Sequence, residues 1–166
     1  MKKIVSIIFL TLCQISFGQS EKFSNKIDEL IDFSVDTISI NTLKENLSNY
    51  TVLDAREINE FKVSHIQNAK CIGFEHFNLE SFQASNPDKT KPIAIYCSIG
   101  ARSEQIGKKL IDAGYTNVKN VYGGIFEWAN QSLPVVDIKQ DTTANIHTYS
   151  KEWSIWLEKG NKVYEN

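Results

Sequence analysis

A run of four apolar residues, Ile93-Ala94-Ile95-Tyr96, leads directly into Cys97-Ser98-Ile99-Gly100-Ala101-Arg102 and then into a helical pattern with Ile106, Leu110 and Ala113 on one side. A strand that is apolar at every position, rather than at alternate ones, suits a parallel sheet covered on both faces. Gly114 stops the helix and Val118–Tyr122 reads as the next strand, so residues 93–122 have the length of one right-handed βαβ crossover. Upstream the same alternation recurs. Strand-like Thr37–Ile40, Thr51–Leu53 and Lys70–Ile72 are followed by helix-like Thr42–Leu47, Ile58–Phe61 and Phe77–Phe82. The pattern predicts an α/β fold with an open parallel sheet flanked by helices. At 166 residues, with 42% hydrophobic and 11% aromatic side chains, the chain suffices for one packed domain.

The two ends read differently from the middle. Lys2 and Lys3 precede an almost wholly apolar stretch from Ile4 to Cys13, and Ser16 and Gly18 stand where a signal peptidase cutting before Gln19 needs small residues. Residues 1–18 are therefore expected to be a signal peptide that directs the protein across the inner membrane, to the periplasm. The apolar stretch is shorter than the roughly 20 residues of a spanning helix, so no stable membrane insertion is expected. Leu12 before Cys13 argues against lipidation. Residues 19–34 read as a polar leader, either a short helix or a loose segment. After Pro134 the rhythm breaks, and Trp153, Trp156 and Leu157, spaced by three and four, predict that residues 137–166 end in one docking helix, available to complete the core or to meet a protein partner.

Charge narrows the partners. The chain has 18 basic and 20 acidic residues, and loss of Lys2 and Lys3 with the signal peptide takes the net charge from −2 to −4. With no basic stripe, nucleic acid is not an expected partner. The Cys residues, Cys13, Cys71 and Cys97, form neither a C-x-x-C motif nor a metal-ligand cluster, and His76 and His147 have no partner at ligand spacing, so no metal site is expected.

Ligands of open parallel sheets bind beyond the carboxyl ends of the strands. The residues at those ends are Asp54 and Arg56, the Cys97–Arg102 loop, and Gly123-Gly124. A loop that opens directly into a helix can fold its amides into an anion-binding nest. Such a nest, the positive end of the helix and Arg102 all favour the charged form of a thiol, which makes Cys97 the candidate nucleophile.

Leu53-Asp54-Ala55-Arg56-Glu57, then Glu60-Phe61, His65-Ile66, Tyr96-Cys97 with Gly100, Arg102 and Ser103, and finally Gly123-Gly124 with Trp128 and Pro134 follow one another in an order that resembles the rhodanese domain, over residues 35–136. The resemblance implies a sulfurtransferase. Cys97 would attack the outer sulfur of a small anionic donor such as thiosulfate, and the resulting persulfide would pass its sulfur to a thiol or cyanide. The amides of Ser98, Ile99, Gly100, Ala101, Arg102 and Ser103 would cradle the persulfide, and no metal or organic cofactor is implied. Arg102 would either hold the sulfonate of the donor or brace the loop by pairing with a carboxylate. Asp54 and Arg56 would support the pocket, Asp54 either by capping the helix near Ile58 or by contacting the substrate, and Arg56 by pairing with Glu57. His65 is expected to pack or to hydrogen-bond locally, Cys71 to sit in the core, and Trp128 to pack its helix on the sheet. Ser64, Asn68 and Gly73 depart from the Gly, Gly and Pro common in the family.

Three other functions compete. Phosphatases of this fold have one more residue between Cys and Arg than the four found here, and the smaller ring suits a sulfur atom better than a phosphate. A binding or sulfur-carrier module of the cell envelope would not need efficient turnover. Thiol-disulfide chemistry would need Cys71 as a resolving thiol.

Overall fold

The computed structural model describes residues 21–164, and the expected signal peptide, residues 1–18, lies outside them. Five strands, β1 (Thr37–Ile38), β2 (Thr51–Asp54), β3 (Lys70–Cys71), β4 (Ile93–Tyr96) and β5 (Val118–Val121), make one parallel sheet in the order β1-β5-β4-β2-β3. The helices are α1 (residues 21–28), α2 (Ile40–Glu45), α3 (Ile58–Val63), α4 (Leu79–Ser85), α5 (Ala101–Asp112) and α6 (Gly124–Asn130). This is the expected parallel α/β architecture. The chain leaves β2 towards β3 on one side and β4 towards β5 on the other, so a crevice opens between the carboxyl ends of β2 and β4.

Strand periodicity divides the core into two layers. Ile93, Ile95 and Cys97 pack with Ile106 and Leu110 of α5, whereas Ala94 and Tyr96 pack with Ile125, Phe126 and Trp128 of α6. Cys97 thus continues the face of β4 that α5 covers, directly below the start of that helix.

Both ends of the described chain join the fold. The leader is helical over residues 21–28 and buries Phe23, Ile27 and Ile31, while buried Glu104 accepts hydrogen bonds from the amides of Asp32 and Ser34 at 3.0 Å each. The tail corrects the expected docking helix. It forms β7 (Thr142–Thr143), antiparallel to β6 (Val135–Val136), and then a parallel pair of β8 (Asn145–His147) and β9 (Asn161–Val163), with a single 3-10 turn at Trp153–Trp156 between them. The Trp spacing that reads as a helix fits one turn equally well, and backbone pairing of β8 with β9 prevents its extension. Ile146 and Leu157 are buried, and Trp156 stacks on Phe23 with centroids 5.7 Å apart.

Two short contacts tie α6 to the loop after β4. The amides of Ile125 and Phe126, in the first turn of α6, donate to the carbonyls of Cys97 at 2.9 Å and Ser98 at 3.1 Å. Such an approach leaves no room for a side chain at Gly124, which has φ +54° and where a Cβ would stand 2.3 Å from the Cys97 oxygen. Gly124→Ala is expected to cost at least about 2 kcal/mol by overpacking and backbone strain together. Urea unfolding with an unchanged midpoint would contradict this docking.

Candidate active site

The loop from Cys97 to Gly100 is fastened by its carbonyls. Those of Cys97 and Ser98 accept from α6, and that of Gly100 accepts from Asn120 Nδ2 at 3.0 Å and lies 3.0 Å from Ser103 Oγ. In a trans peptide the N–H points opposite to the carbonyl of the same plane. The amides of Ser98, Ile99 and Ala101 are therefore turned away from these anchors. Gly100 takes φ 124°, open to glycine and rarely to other residues, and its N–H donates to Cys97 Sγ at 3.1 Å. Cys97 is 1% exposed, and α5 begins at Ala101, directly after the loop.

Arg102 braces this loop. Its Nη1 and Nη2 donate to Glu60 Oε2 and Oε1 at 2.7 and 2.8 Å, and Nη2 reaches Ser98 Oγ at 3.0 Å. Of the two roles left open by the sequence, the geometry occupies the guanidinium fork with a carboxylate. Burial works to raise the Glu60 carboxyl, but the hydrogen bonds and charge of Arg102 outweigh it and hold Glu60 below the ordinary glutamate range. Burial likewise opposes the Arg102 charge, and the Glu60 bonds more than restore it. On its other side the guanidinium carbon lies 5.6 Å from the centroid of the Tyr149 ring.

Asp54 and Arg56 have different roles from those expected. Both are fully buried, with Arg56 Nε and Nη2 donating to Asp54 and Nη2 also to the Ser64 carbonyl at 2.6 Å. Asp54 does not cap α3, because its short side chain is turned back to accept from the Arg56 amide at 2.9 Å and from its guanidinium. The helix is capped instead by Glu57 and Glu60 in a reciprocal capping box. Arg56 does not pair with Glu57, whose Oε1 accepts from the amides of Phe74 and Glu75.

A cavity of about 300 Å³ opens over the loop, lined by Cys97, Ser98, Ile99, Ala101 and Arg102 together with Leu30, Glu57, Phe74, Glu75, Tyr149 and Trp153. Ser103 is on the far side of the loop, with its Oγ 2.7 Å from Asn120 Oδ1, and Asp54 and Arg56 lie outside the lining. Cys71 lines a separate pocket with Phe77 and Phe82; burial pushes its thiol up, and both Cys71 and Cys97 are free thiols. His65 packs on Phe61 with centroids 3.8 Å apart and pairs its backbone with Val136. Asn68 takes a left-handed φ of 65°, which asparagine tolerates where the family has glycine. Among the described residues no cluster of His, Cys, Asp and Glu could hold a metal, and no helix is long and apolar enough to cross a membrane.

Sequence reasoning noted Glu60 only as part of a motif and missed its pairing. The E-x-x-E spacing of Glu57 and Glu60 at a helix start was the available signal. Asn120, on a buried strand where a polar residue demands partners, was a second. Nothing local marked Leu30 or Tyr149, and the spacing of Trp153 marked it for the tail's docking segment, not for the site.

Asp54→Asn is expected to cost roughly 3–5 kcal/mol, since it leaves the Arg56 charge buried and uncompensated. Lys108→Ala, which removes an exposed pair with Asp112, should cost under about 1 kcal/mol. Equal shifts in urea unfolding for the two variants would refute the difference. Because Glu60 is held below its unfolded value, its pair with Arg102 stabilises the fold above the ordinary glutamate range, and that contribution is lost as pH falls through the depressed value. The gap in Tm between the unsubstituted protein and Glu60→Gln should therefore narrow on acidification from neutral pH; a constant gap would count against the pair.

The family model described as Rhodanese-like domain matches residues 39–131. Thiosulfate sulfurtransferase 18 of Arabidopsis thaliana is 29% identical over 139 residues, which cover 77% of this chain and 99% of that protein. Thiosulfate sulfurtransferase GlpE of Coxiella burnetii is 28% identical over 79 residues, 46% of this chain and 69% of that one. Among solved structures, a rhodanese-related protein from Thermoplasma volcanium superimposes with a TM-score of 0.54 at 32% identity, covering 61% of this chain and 97% of its own. With a parallel sheet in which a cysteine loop closes the central strand, and with this match across more than half its length, the chain belongs to the rhodanese-like domain family of sulfurtransferases.

Proposed function

We propose that the protein moves a sulfane sulfur from a donor such as thiosulfate to a thiol or cyanide through a persulfide on Cys97. The observation that carries this reading is the Gly100 N–H directed at Cys97 Sγ from 3.1 Å, at the floor of a cavity large enough for a substrate. In the first step the Cys97 thiolate attacks the outer sulfur of thiosulfate. A new Sγ–S bond forms, the old S–S bond breaks, and sulfite leaves with its electron pair. In the second step an acceptor attacks the outer sulfur of the persulfide and the electron pair returns to Cys97.

The loop suits both states. The Gly100 amide aimed at Sγ stabilises the thiolate before the first step, and the loop amides turned away from their anchors are available to the charged outer sulfur of the persulfide after it. Arg102 positions the loop through Ser98 and Glu60 rather than presenting its whole fork to the donor. Two relatives named as thiosulfate sulfurtransferases support the same chemistry. The signal-like residues 1–18 support a site of action in the periplasm, and the four-residue spacing between Cys97 and Arg102 speaks against phosphate as substrate.

Intact-protein mass spectrometry of the chain without residues 1–18 provides the test. Thiosulfate should add one sulfur, about 32 mass units, that cyanide removes and Cys97→Ser abolishes. No adduct on a reduced Cys97 would overturn the thiosulfate reading and leave a binding module. Hydrolysis of aryl phosphates should be negligible.

A further inference from the structure

Part of the lining of the Cys97 cavity comes from segments outside the matched residues 39–131: Leu30 from the leader, and Tyr149 and Trp153 from the tail. Tyr149 is held in a left-handed conformation, φ 66°, that tyrosine rarely adopts, with its amide donating to His147 Nδ1 at 3.1 Å. That turn sets the ring, 59% exposed as a residue, above the Arg102 guanidinium. An outlier of this kind beside a reactive group points to a role in binding.

Three properties of the cavity agree on what it accepts. Its walls are apolar, with Leu30, Phe74, Tyr149 and Trp153 facing the loop. Of its acidic members, Glu57 is held by the amides of Phe74 and Glu75 and Glu75 is exposed, and the fork of Arg102 is held by Glu60, so the lining offers no unengaged cationic side chain to an anionic ligand. Its volume of about 300 Å³ is at the lower end of pockets that hold organic ligands, and a small inorganic anion would leave most of it empty.

We infer that the sulfur acceptor is a small organic thiol with an apolar, uncharged or cationic body, selected by Leu30, Tyr149 and Trp153 against anionic thiols. The inference rests on the sulfurtransferase reading above and deepens it. The acceptor thiolate attacks the outer sulfur of the Cys97 persulfide, a new S–S bond forms on the acceptor, and the Sγ–S bond breaks with its electrons returning to Cys97. The acceptor leaves as a persulfide and no external oxidant or reductant is consumed.

The test uses the protein loaded with sulfur and the acceptors benzyl mercaptan, cysteamine, 3-mercaptopropionate and cyanide. Per unit of thiolate, benzyl mercaptan and cysteamine should each react at least tenfold faster than 3-mercaptopropionate. Tyr149→Ala and Trp153→Ala should lower the ratio of the benzyl mercaptan rate to the cyanide rate by about tenfold, whereas general damage to the loop would lower both rates and leave the ratio alone. Glu75→Gln, a change in an exposed residue, should narrow the gap between cysteamine and 3-mercaptopropionate by about threefold. Loading with sulfur but no preference among the thiols, or ratios unmoved by all three substitutions, would overturn the inference while sparing the sulfurtransferase reading. Failure of Cys97 to load from thiosulfate or inorganic polysulfide would overturn both.

Discussion

The carbonyls of Cys97 and Ser98 are held by the amides of Ile125 and Phe126 in the first turn of α6, and the rest of the site depends on that attachment. A peptide plane has two polar ends, and fixing one aims the other. With their oxygens taken by α6 and Asn120, three loop peptides turn the N–H groups of Ser98, Ile99 and Ala101 away from those anchors, and glycine at position 100 lets the peptide between them direct its own N–H to Sγ. The dependence is mutual. Helix α6 gains acceptors for amides that would otherwise lack intrahelical partners, so the same bonds that shape the loop also complete a helix end.

Two arginine–carboxylate pairs stand near the loop at different depths, and they do different work. Asp54 and Arg56 are sealed from water between the end of β2 and the Ser64 carbonyl, where the pair links the end of β2 to the end of α3. Glu60 and Arg102 are closer to the cavity, joining α3 to the start of α5 across the crevice. Desolvating four charges is costly, but removing any one of them is costlier, so the arrangement favours a single geometry more than it adds stability. Planar forks that bind two oxygens at once make arginine, not lysine, the suitable residue at both depths.

The sheet and the cysteine loop were legible because their signals are local. An uninterrupted apolar run, a glycine before a helix and a stop after it can each be read within a few residues, and Ile93–Gly114 contains all three. Partnerships were less legible. Asp54 was expected at a helix cap and Arg56 beside Glu57, since both are neighbours in sequence, yet burial makes the doubly bonded pair between them the better solution. Glu60 lies 42 residues from Arg102, and only the crossing of α3 and α5 brings them together. The tail misled for a related reason: Trp153 and Trp156 have helical spacing, but the strands on either side are defined by pairing with each other, which no local pattern encodes.

The wall formed by Tyr149 and Trp153 has a bearing on the order in which the protein is made. A ribosome releases the cysteine loop, and even β5 and α6 that shape it, well before the residues that roof it. In chain order the sheet, the cysteine loop and α6 therefore precede the segment that forms one side of the cavity, and that segment is fixed only when β9 pairs with β8. The reactive loop is laid down early and its wall late, so the cavity takes its final shape only once the chain has been made through β9.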